Sequence, residues 1–268
     1  MTFDASTSGS KGTSPKIVIV MPAYNAANTL EDTFDLIPEG IADEVIVVDD
    51  ASLDSTLTVA SRLDVHTVPL PHNVGYGGNQ KTCYLEALRE DADVIVMLHP
   101  DGQYDPQLIP ALVRPILDGS ADMVLGSRLA NGRAAAIGGG MPWWKYAANR
   151  FLTRTENLVL GVSFSELHTG YRAYSRQFLE SVPFLRNSND FVFDTEIIVQ
   201  SVSFGLRVVE IPVPTIYFPD ASSINFRVSA VYGLKTLGTL VRYVMHRSGL
   251  RRAPFLQPVR RGPSSKKA

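Results

Sequence analysis

Three short aliphatic runs constrain this 268-residue chain more than any other feature: KIVIVM at residues 16–21, EVIVVDD at 44–50 and VIVML at 94–98. Each is rich in β-branched residues, short, and bounded by turn formers, so each reads as a buried strand. Each also ends abruptly on a polar turn: PAYNAAN, DDAS and HPDGQYDP. The spacing predicts a helix after each of the first two, TLEDTFDLI up to Pro38 and a second one capped by Ser52 or Asp54. VHTVPL reads as a third strand, NVGYGGNQKTCYLEALRE as a glycine-rich turn entering a helix, DPQLIPALVRPIL as a helix interrupted by Pro110 and Pro115, and ADMVLGSR as a fifth strand. Alternating strands and helices imply right-handed crossovers and a mainly parallel sheet covered on both faces. Ligands of such sheets bind outside the carboxyl ends of the strands, so the three polar turns should open on one edge.

The second half is less regular. WWKYAANRFLTRTENLVLG has helical periodicity, SELHTGYRAYSRQFLESV starts as a loop or short strand and becomes a helix, FVFDTEIIVQSVSFG is a helix closed by Gly205, and LRVVEIPVPTIYF is a strand. NFRVSAVYGLKTLGTLVRYVMHRSG reads as a long amphipathic helix. Lys235 and Arg242 interrupt its apolar stretch, so it falls short of the roughly 20 apolar residues of a membrane span. Residues 221–268 hold ten Lys and Arg and no Asp or Glu, although the whole chain has a net charge of -2. A basic arm of this kind suits an anionic membrane face or a solvated tail; no nucleic-acid module accompanies it, so no nucleic-acid partner is expected. The first fifteen residues lack an apolar core and read as a flexible leader, and the single cysteine, Cys83, fits a reducing cytoplasm.

Two nucleotide-binding motifs fail on inspection. GYGGNQKT approaches a P-loop, but Gln80 stands where glycine should precede Lys81, and the loop follows the third strand. PAYNAAN has no glycine, which argues against a dinucleotide fingerprint. Instead, the ordered set VMPAYNAANTL, EVIVVDDASLDST, NVGYGGNQ, HPDGQYDP, GSR and HTGYRAY resembles the inverting family 2 glycosyltransferases of the GT-A fold, most closely their polyprenyl-phosphate (dolichol-phosphate) mannosyl- and glucosyltransferase branch. The resemblance spans residues 16–225. It implies a Rossmann-like α/β domain over those residues; beyond them, the residues themselves lead to the expectation of the amphipathic helix at 226–250 and a basic flexible tail at 251–268.

The resemblance also implies site residues. Pro22, Ala23, Tyr24, Asn25, Asp50, Gly75 and Lys81 match the donor's nucleotide-binding segments. HPDGQ occupies the place of the family's Asp-x-Asp, making Asp101, Gln103 and His99 the metal candidates. Oxygen ligands suit Mg²⁺ or Mn²⁺, which would neutralise the departing nucleoside diphosphate. His99 stands where the family has its first Asp: imidazole leans toward Mn²⁺, or it contacts phosphate, or metal dependence is weakened. Ala26 replaces a family Glu. Arg128, His168 and Arg172 match positions that recognise donor sugar and acceptor, arginine being suited to phosphate by its planar fork. Asp101, Arg128, Asp194 and Glu196 are the catalytic candidates.

An inverting transfer to a hydroxyl needs a carboxylate base; the resemblance makes Asp194 a candidate for the base of hydroxyl-acceptor relatives and Glu196 the counterpart of a Glu in the lipid-phosphate branch. A polyprenyl phosphate is already ionised, its second pKa being about 6, and needs cations instead. The expectation is a metal-assisted hexosyltransferase that uses a GDP- or UDP-sugar and a lipid phosphate at the cytoplasmic membrane face, with peripheral contact through the basic C-terminal helix. The alternatives are a soluble transferase acting on a hydroxyl and a non-catalytic sugar-nucleotide-binding relative.

Overall fold

A computed structural model describes residues 14–214 and 226–258; the leader through residue 13, the 215–225 segment and the tail from 259 lie outside the described residues. The strands are β1 (Ile17–Ala23), β2 (Glu44–Asp49), β3 (His66–Pro69), β4 (Val94–Met97), β5 (Met123–Ser127), β6 (Arg172–Ser175) and β7 (Val208–Pro212). They form one sheet in the order β3-β2-β1-β4-β6-β5-β7. Strands β1, β2, β3 and β4 are parallel, as are β5 and β7, and β6 is antiparallel to both β4 and β5. Strand order reverses between β1 and β4, the position where an open α/β sheet leaves a crevice at its carboxyl edge. The PAYN, DDAS and HPDGQ turns all lie along that edge, as the sequence implies.

Alternation along β1 builds two cores. Val18 and Val20 join a layer with Cys83, Tyr84, Ile197 and Leu240, while Ile19 and Met21 face Leu30, Ile109 and Leu112. Each such side chain, fully buried, contributes about 1.5–3 kcal/mol. The helices supplying these layers are α1 (Leu30–Asp35), α2 (Thr56–Ala60), α3 (Tyr76–Arg89), α4 (Ile109–Leu117), α5 (Gly132–Gly138), α6 (Trp143–Leu160), α7 (Arg176–Ser181), α8 (Phe193–Ser203) and α9 (Phe226–Arg247).

Three features differ from the expectation, and one open alternative is decided. Helix α4 is not broken by its prolines: Pro110 falls in the first turn, where no N–H is needed, and Pro115 lies two residues from the end. Ser52 does not cap α2; Asp54 does that work, accepting from the Thr56 amide at 3.0 Å. The glycines after Val74 are not all turn: Gly77 and Gly78 are already helical in α3. Finally, residues 251–258 are no loose tail. Phe255 and Leu256 are buried in the core, and Gln200 Nε2 donates to the Phe255 carbonyl at 2.8 Å. Helix α9 packs on α6 and α8, with Leu240 and Tyr243 buried, so it completes the core on one side.

The glycine at 77 is there for close approach. A Cβ would meet the Ser188 carbonyl oxygen at 2.5 Å and Phe193 Cβ at 2.8 Å. Gly77→Ala should therefore cost about 2–3 kcal/mol, measured by urea unfolding. Gly238→Ala in α9, where nothing lies within 4 Å of the added methyl, should instead stabilise by about 0.5–1 kcal/mol.

Candidate active site

The first two turns brace each other. Asn25, at φ 52°, donates its amide to Ser52 Oγ at 2.9 Å and accepts from the Leu53 amide at 2.8 Å. Ala26 is buried, and its amide donates to Thr56 Oγ1 at 2.8 Å. Tyr24 stands out from this frame, 50% exposed, beyond Pro22 and Ala23 at the end of β1. At the end of β2, Asp50 accepts from the Val74 amide at 2.7 Å and the Gly75 amide at 3.1 Å. Burial nonetheless raises its pKa above the ordinary carboxylate value. Gly75, at φ 84°, packs against the Asn189 carbonyl. Asp49, next to Asp50, accepts from the Ser52 amide at 3.1 Å through one oxygen, and its buried Oδ1 has no hydrogen-bond partner among the described residues.

The third turn holds the metal candidates. Asp101 is half-buried and accepts from the Gln103 amide at 3.0 Å; Gln103 is buried beside it. Thr29 Oγ1 donates to the Pro100 carbonyl, and Tyr104 Oη accepts from the Gly170 amide at 3.2 Å, so the turn is pinned from both sides. His99 stacks on Tyr76 with ring centroids 5.5 Å apart and planes 7° apart. Gly170 leaves room for it: a Cβ there would lie 2.6 Å from His99 Nε2. The Tyr76 hydroxyl donates to Asp194 Oδ2 at 2.8 Å and presents its oxygen to His99 Nε2 at 3.4 Å. That arrangement favours the tautomer with the proton on Nε2 and the lone pair on Nδ1. Burial holds the imidazole below its ordinary pKa, against the pull of Asp101 and Asp194.

Beneath His99 lies a buried polar network. Because β6 runs antiparallel to β4, Arg172 at its start pairs with Met97 at the end of β4. The Arg172 guanidinium is fully buried, donates to the Thr169 carbonyl at 2.7 Å and lies 3.2 Å from Asp194 Oδ1. Gln80 donates to the same oxygen at 3.4 Å and accepts from Tyr84 at 2.9 Å. Arg172 therefore has no exposed surface with which to touch an acceptor, and Asp194 has both oxygens engaged. Glu196, also expected at the centre, accepts from the Ser188 amide at 2.6 Å and from Arg242 of α9 at 2.7 Å. The two carboxylates diverge as their i, i+2 spacing requires. Lys81 likewise turns to the 187–189 loop, donating to the Asn187 carbonyl and to Asn189 Oδ1 at 2.6 Å.

A second buried cluster lies past the end of β5. Arg128 Nε donates to Glu166 Oε1 at 2.8 Å, its amide to Oε2 at 2.7 Å and its Nη2 to the His168 carbonyl at 2.8 Å. The His168 ring lies between Glu156 Oε2 of α6, 2.9 Å from Nε2, and Tyr232 Oη of α9, 2.7 Å from Nδ1. It fills the space between α6 and α9, hydrogen-bonded only to Tyr232 among the described residues, and offers little surface to a ligand. Sequence reading missed Tyr76 and Lys145. Lys145 is half-buried, and burial with Arg128 nearby lowers its pKa against the attraction of Glu166 and Asp101. Its signal was present: Lys145, Asn149, Thr153 and Glu156 recur at helical spacing on one face of α6. Asn149 donates to Glu166 Oε1 at 2.7 Å.

A family model described as Glycosyl transferase family 2 matches residues 18–182, more than half of the chain. The chain belongs to glycosyl transferase family 2. Among family members it is 26% identical to the UDP-N-acetylglucosamine–dolichyl-phosphate N-acetylglucosaminyltransferase of Methanococcus voltae, over 75% of this chain and 86% of that one. It is 25% identical to the polyprenol monophosphomannose synthase of Mycolicibacterium smegmatis, over 74% of this chain and 76% of that one. Its fold matches glucosyl-3-phosphoglycerate synthase of Mycobacterium tuberculosis, solved with Mn²⁺, UDP and glucosyl-3-phosphoglycerate, at a TM-score of 0.65 and 19% identity over 89% of this chain and 82% of that one. The expected GT-A glycosyltransferase fold is thereby met. One other group of possible metal ligands among the described residues, Glu44, His66 and Glu90, lies at the starts of β2 and β3 and near the end of α3, on the sheet edge opposite the turns. Lys16 Nζ already bridges Glu44 and Glu90 at 3.1 and 3.7 Å, so this glycosyltransferase has a cation there of its own.

Burial raises the Glu166 pKa, but the Arg128 charge and hydrogen bonds outweigh it and hold the carboxyl below its ordinary 4.5. A depressed carboxylate contributes stability above its unfolded pKa and loses it as pH falls through the folded one. Glu166→Gln should therefore lower stability at pH 7 by about 3 kcal/mol. It should also flatten the fall in stability below about pH 4.5, read from unfolding midpoints across an acid series.

Proposed function

We propose that this enzyme moves a hexose from a nucleoside-diphosphate sugar to a polyprenyl phosphate, with inversion and with Mg²⁺ or Mn²⁺. The observation that carries the acceptor is the engagement of Asp194. A hydroxyl acceptor needs a base, yet the carboxylate expected to serve has Tyr76 on one oxygen and Arg172 with Gln80 on the other. A phosphate acceptor supplies an ionised oxygen, with a second pKa of about 6, and needs no base. The relatives named as dolichyl-phosphate and polyprenol-phosphate transferases support the same reading.

In this reading the nucleoside lies between the β1 and β2 turns, with Tyr24 over the base and Pro22, Ala23 and Asn25 along one wall. Asp50 keeps a second lone pair on each oxygen while it holds the Val74–Gly75 amides beneath the base. Asp101, Gln103 and the His99 imidazole would hold the metal; oxygen donors with one imidazole fit Mn²⁺ and, less well, Mg²⁺. When bound, it acts as a Lewis acid on the leaving diphosphate. The acceptor oxygen forms its bond to the anomeric carbon as the bond from that carbon to the nucleoside diphosphate breaks. In this reading Lys145 would meet the acceptor phosphate, and Arg128, largely buried and held by Glu166 and the His168 carbonyl, would add positive field behind it. The membrane face follows from the lipid acceptor, and no helix among the described residues is long and apolar enough to cross a bilayer.

Transfer from labelled UDP- and GDP-sugars to a polyprenyl phosphate tests this. Asp101→Asn should lower the rate by about a hundredfold or more, and EDTA should do the same to the parent enzyme. The parent rate should rise through about pH 6, as the acceptor loses its second proton, and then level off. Equal transfer to a hydroxyl-bearing glycan, with no preference for phosphate, would favour the hydroxyl reading instead.

A further inference from the structure

Helices α6 and α9 lie side by side and leave apolar side chains outside. On α6, Trp143 is 72% exposed, Phe151 62% and Leu158 84%; on α9, Leu234 is 71% exposed, with Val241 and Val244 also in solvent. Between the helices runs an apolar groove of about 290 Å³, walled by Val159 of α6 and Leu237 and Val244 of α9. Singly exposed apolar residues are ordinary, but a continuous apolar face on two packed helices marks a surface that is covered in use.

Charge says by what. Residues 143–160 and 226–258 together hold nine Lys and Arg and a single acidic residue, Glu156. Glu156 is fully buried against His168. Of the nine, Lys235 pairs with Asp190 and Arg242 with Glu196, both outside these segments, while Arg154, Arg247, Arg251 and Arg252 are exposed, so the charge that the two helices and the segment after α9 present to solvent is strongly net positive. A second copy of the chain would set like charge against like across a two-fold contact. An anionic lipid surface takes both components at once, with apolar side chains below the headgroups and arginines among them.

The face also runs up to the site. Lys145 near the start of α6 feels Arg128, Glu166 and Asp101, and Tyr232 of α9 meets His168, whose carbonyl accepts from Arg128. We propose that the shared outer face of α6 and α9 is the surface on which this enzyme sits on an anionic bilayer, bringing the Arg128–Lys145 side of the site to the lipid. This rests on the lipid-phosphate reading for its purpose, not for its evidence. The sequence suggested the C-terminal helix alone. The structure adds α6, which supplies the largest exposed side chains, and the packing of α6 on α9, with His168 lying between Glu156 and Tyr232.

The test uses the full chain, with vesicles of phosphatidylcholine alone or mixed with phosphatidylglycerol. The parent should co-sediment with the anionic vesicles, and Leu158→Glu/Leu234→Glu should bind them at least about tenfold more weakly, because each change removes apolar contact and adds repulsion. Its melting temperature should match the parent's, since both positions face solvent. A second arm measures transfer to a short-chain, water-soluble polyprenyl phosphate, which should be equal in the two proteins. A variant that sediments like the parent overturns the docking surface, while activity on the short-chain acceptor still supports the function. If neither protein uses any phosphate acceptor but the variant loses vesicle binding, the acceptor reading falls and the surface stands. A parent that ignores anionic vesicles, or a parent dimer that the double substitution dissociates, overturns the proposal.

Discussion

The rest of the site depends on one buried ion pair, Arg172 with Asp194. Both groups lie under the carboxyl edge of the sheet, and the arginine has no exposed surface. Removing two charges from water is costly, and an isolated pair in the interior often does no more than break even. Here the remaining donors and acceptors are satisfied by the Thr169 carbonyl, Tyr76 and Gln80. The pair ties the antiparallel strand β6 to α8 and α3, three elements far apart in sequence. Deleting one partner would leave the other charge buried and unpaired, which typically costs about 3–5 kcal/mol.

What the pair supports is a rigid seat for His99. The imidazole is stacked on Tyr76, faces the backbone at Gly170 and sits directly above the network. A carboxylate in this position would face Asp194 through Tyr76, adding negative charge to a crowded anionic site. A neutral imidazole avoids that repulsion and still offers one lone pair. A histidine is thus compatible with these surroundings at the position where the family resemblance leads one to expect Asp, and in the proposed reading it would shift the donor set toward softer divalent ions. The second cluster follows the same logic. Arg128 is not held by acceptor charge in advance; Glu166 and Asn149 fix its orientation, and Lys145 adds cationic field beside it.

The parallel half of the fold was legible because its strands are short, β-branched and end on turn residues, and because three such ends must share an edge. That the three polar turns after β1, β2 and β4 share one edge was legible for the same reason, whereas the roles proposed for them come from the family resemblance. Strand β6 was not: RAYS is too short to show a period, and its antiparallel pairing with β4 and β5 depends on a long connection through α6. With β6 unplaced, nothing in the sequence showed that Arg172 would be buried under His99. Glu196 and Lys81 were misplaced for a related reason. Both are polar residues on helices near the site, and only tertiary contact shows that they hold the 187–189 loop and α9. The anchoring of residues 251–258 was hidden because their basic composition outweighed Phe255 and Leu256 in the reading.

In the proposed mechanism the His99–Asp101–Gln103 turn and the β1–β2 edge together bind a nucleoside diphosphate through a divalent metal. The most direct measurement is thermal unfolding with UDP, GDP, CDP and ADP, each with Mn²⁺, with Mg²⁺ and with EDTA. One base should stabilise the protein, by about 2.7 kcal/mol at a hundred times its dissociation constant. Chelation or Asp101→Asn should remove that stabilisation. Stabilisation that persists in EDTA and in the Asp101 variant, or the absence of any shift with all four nucleotides, would contradict the account.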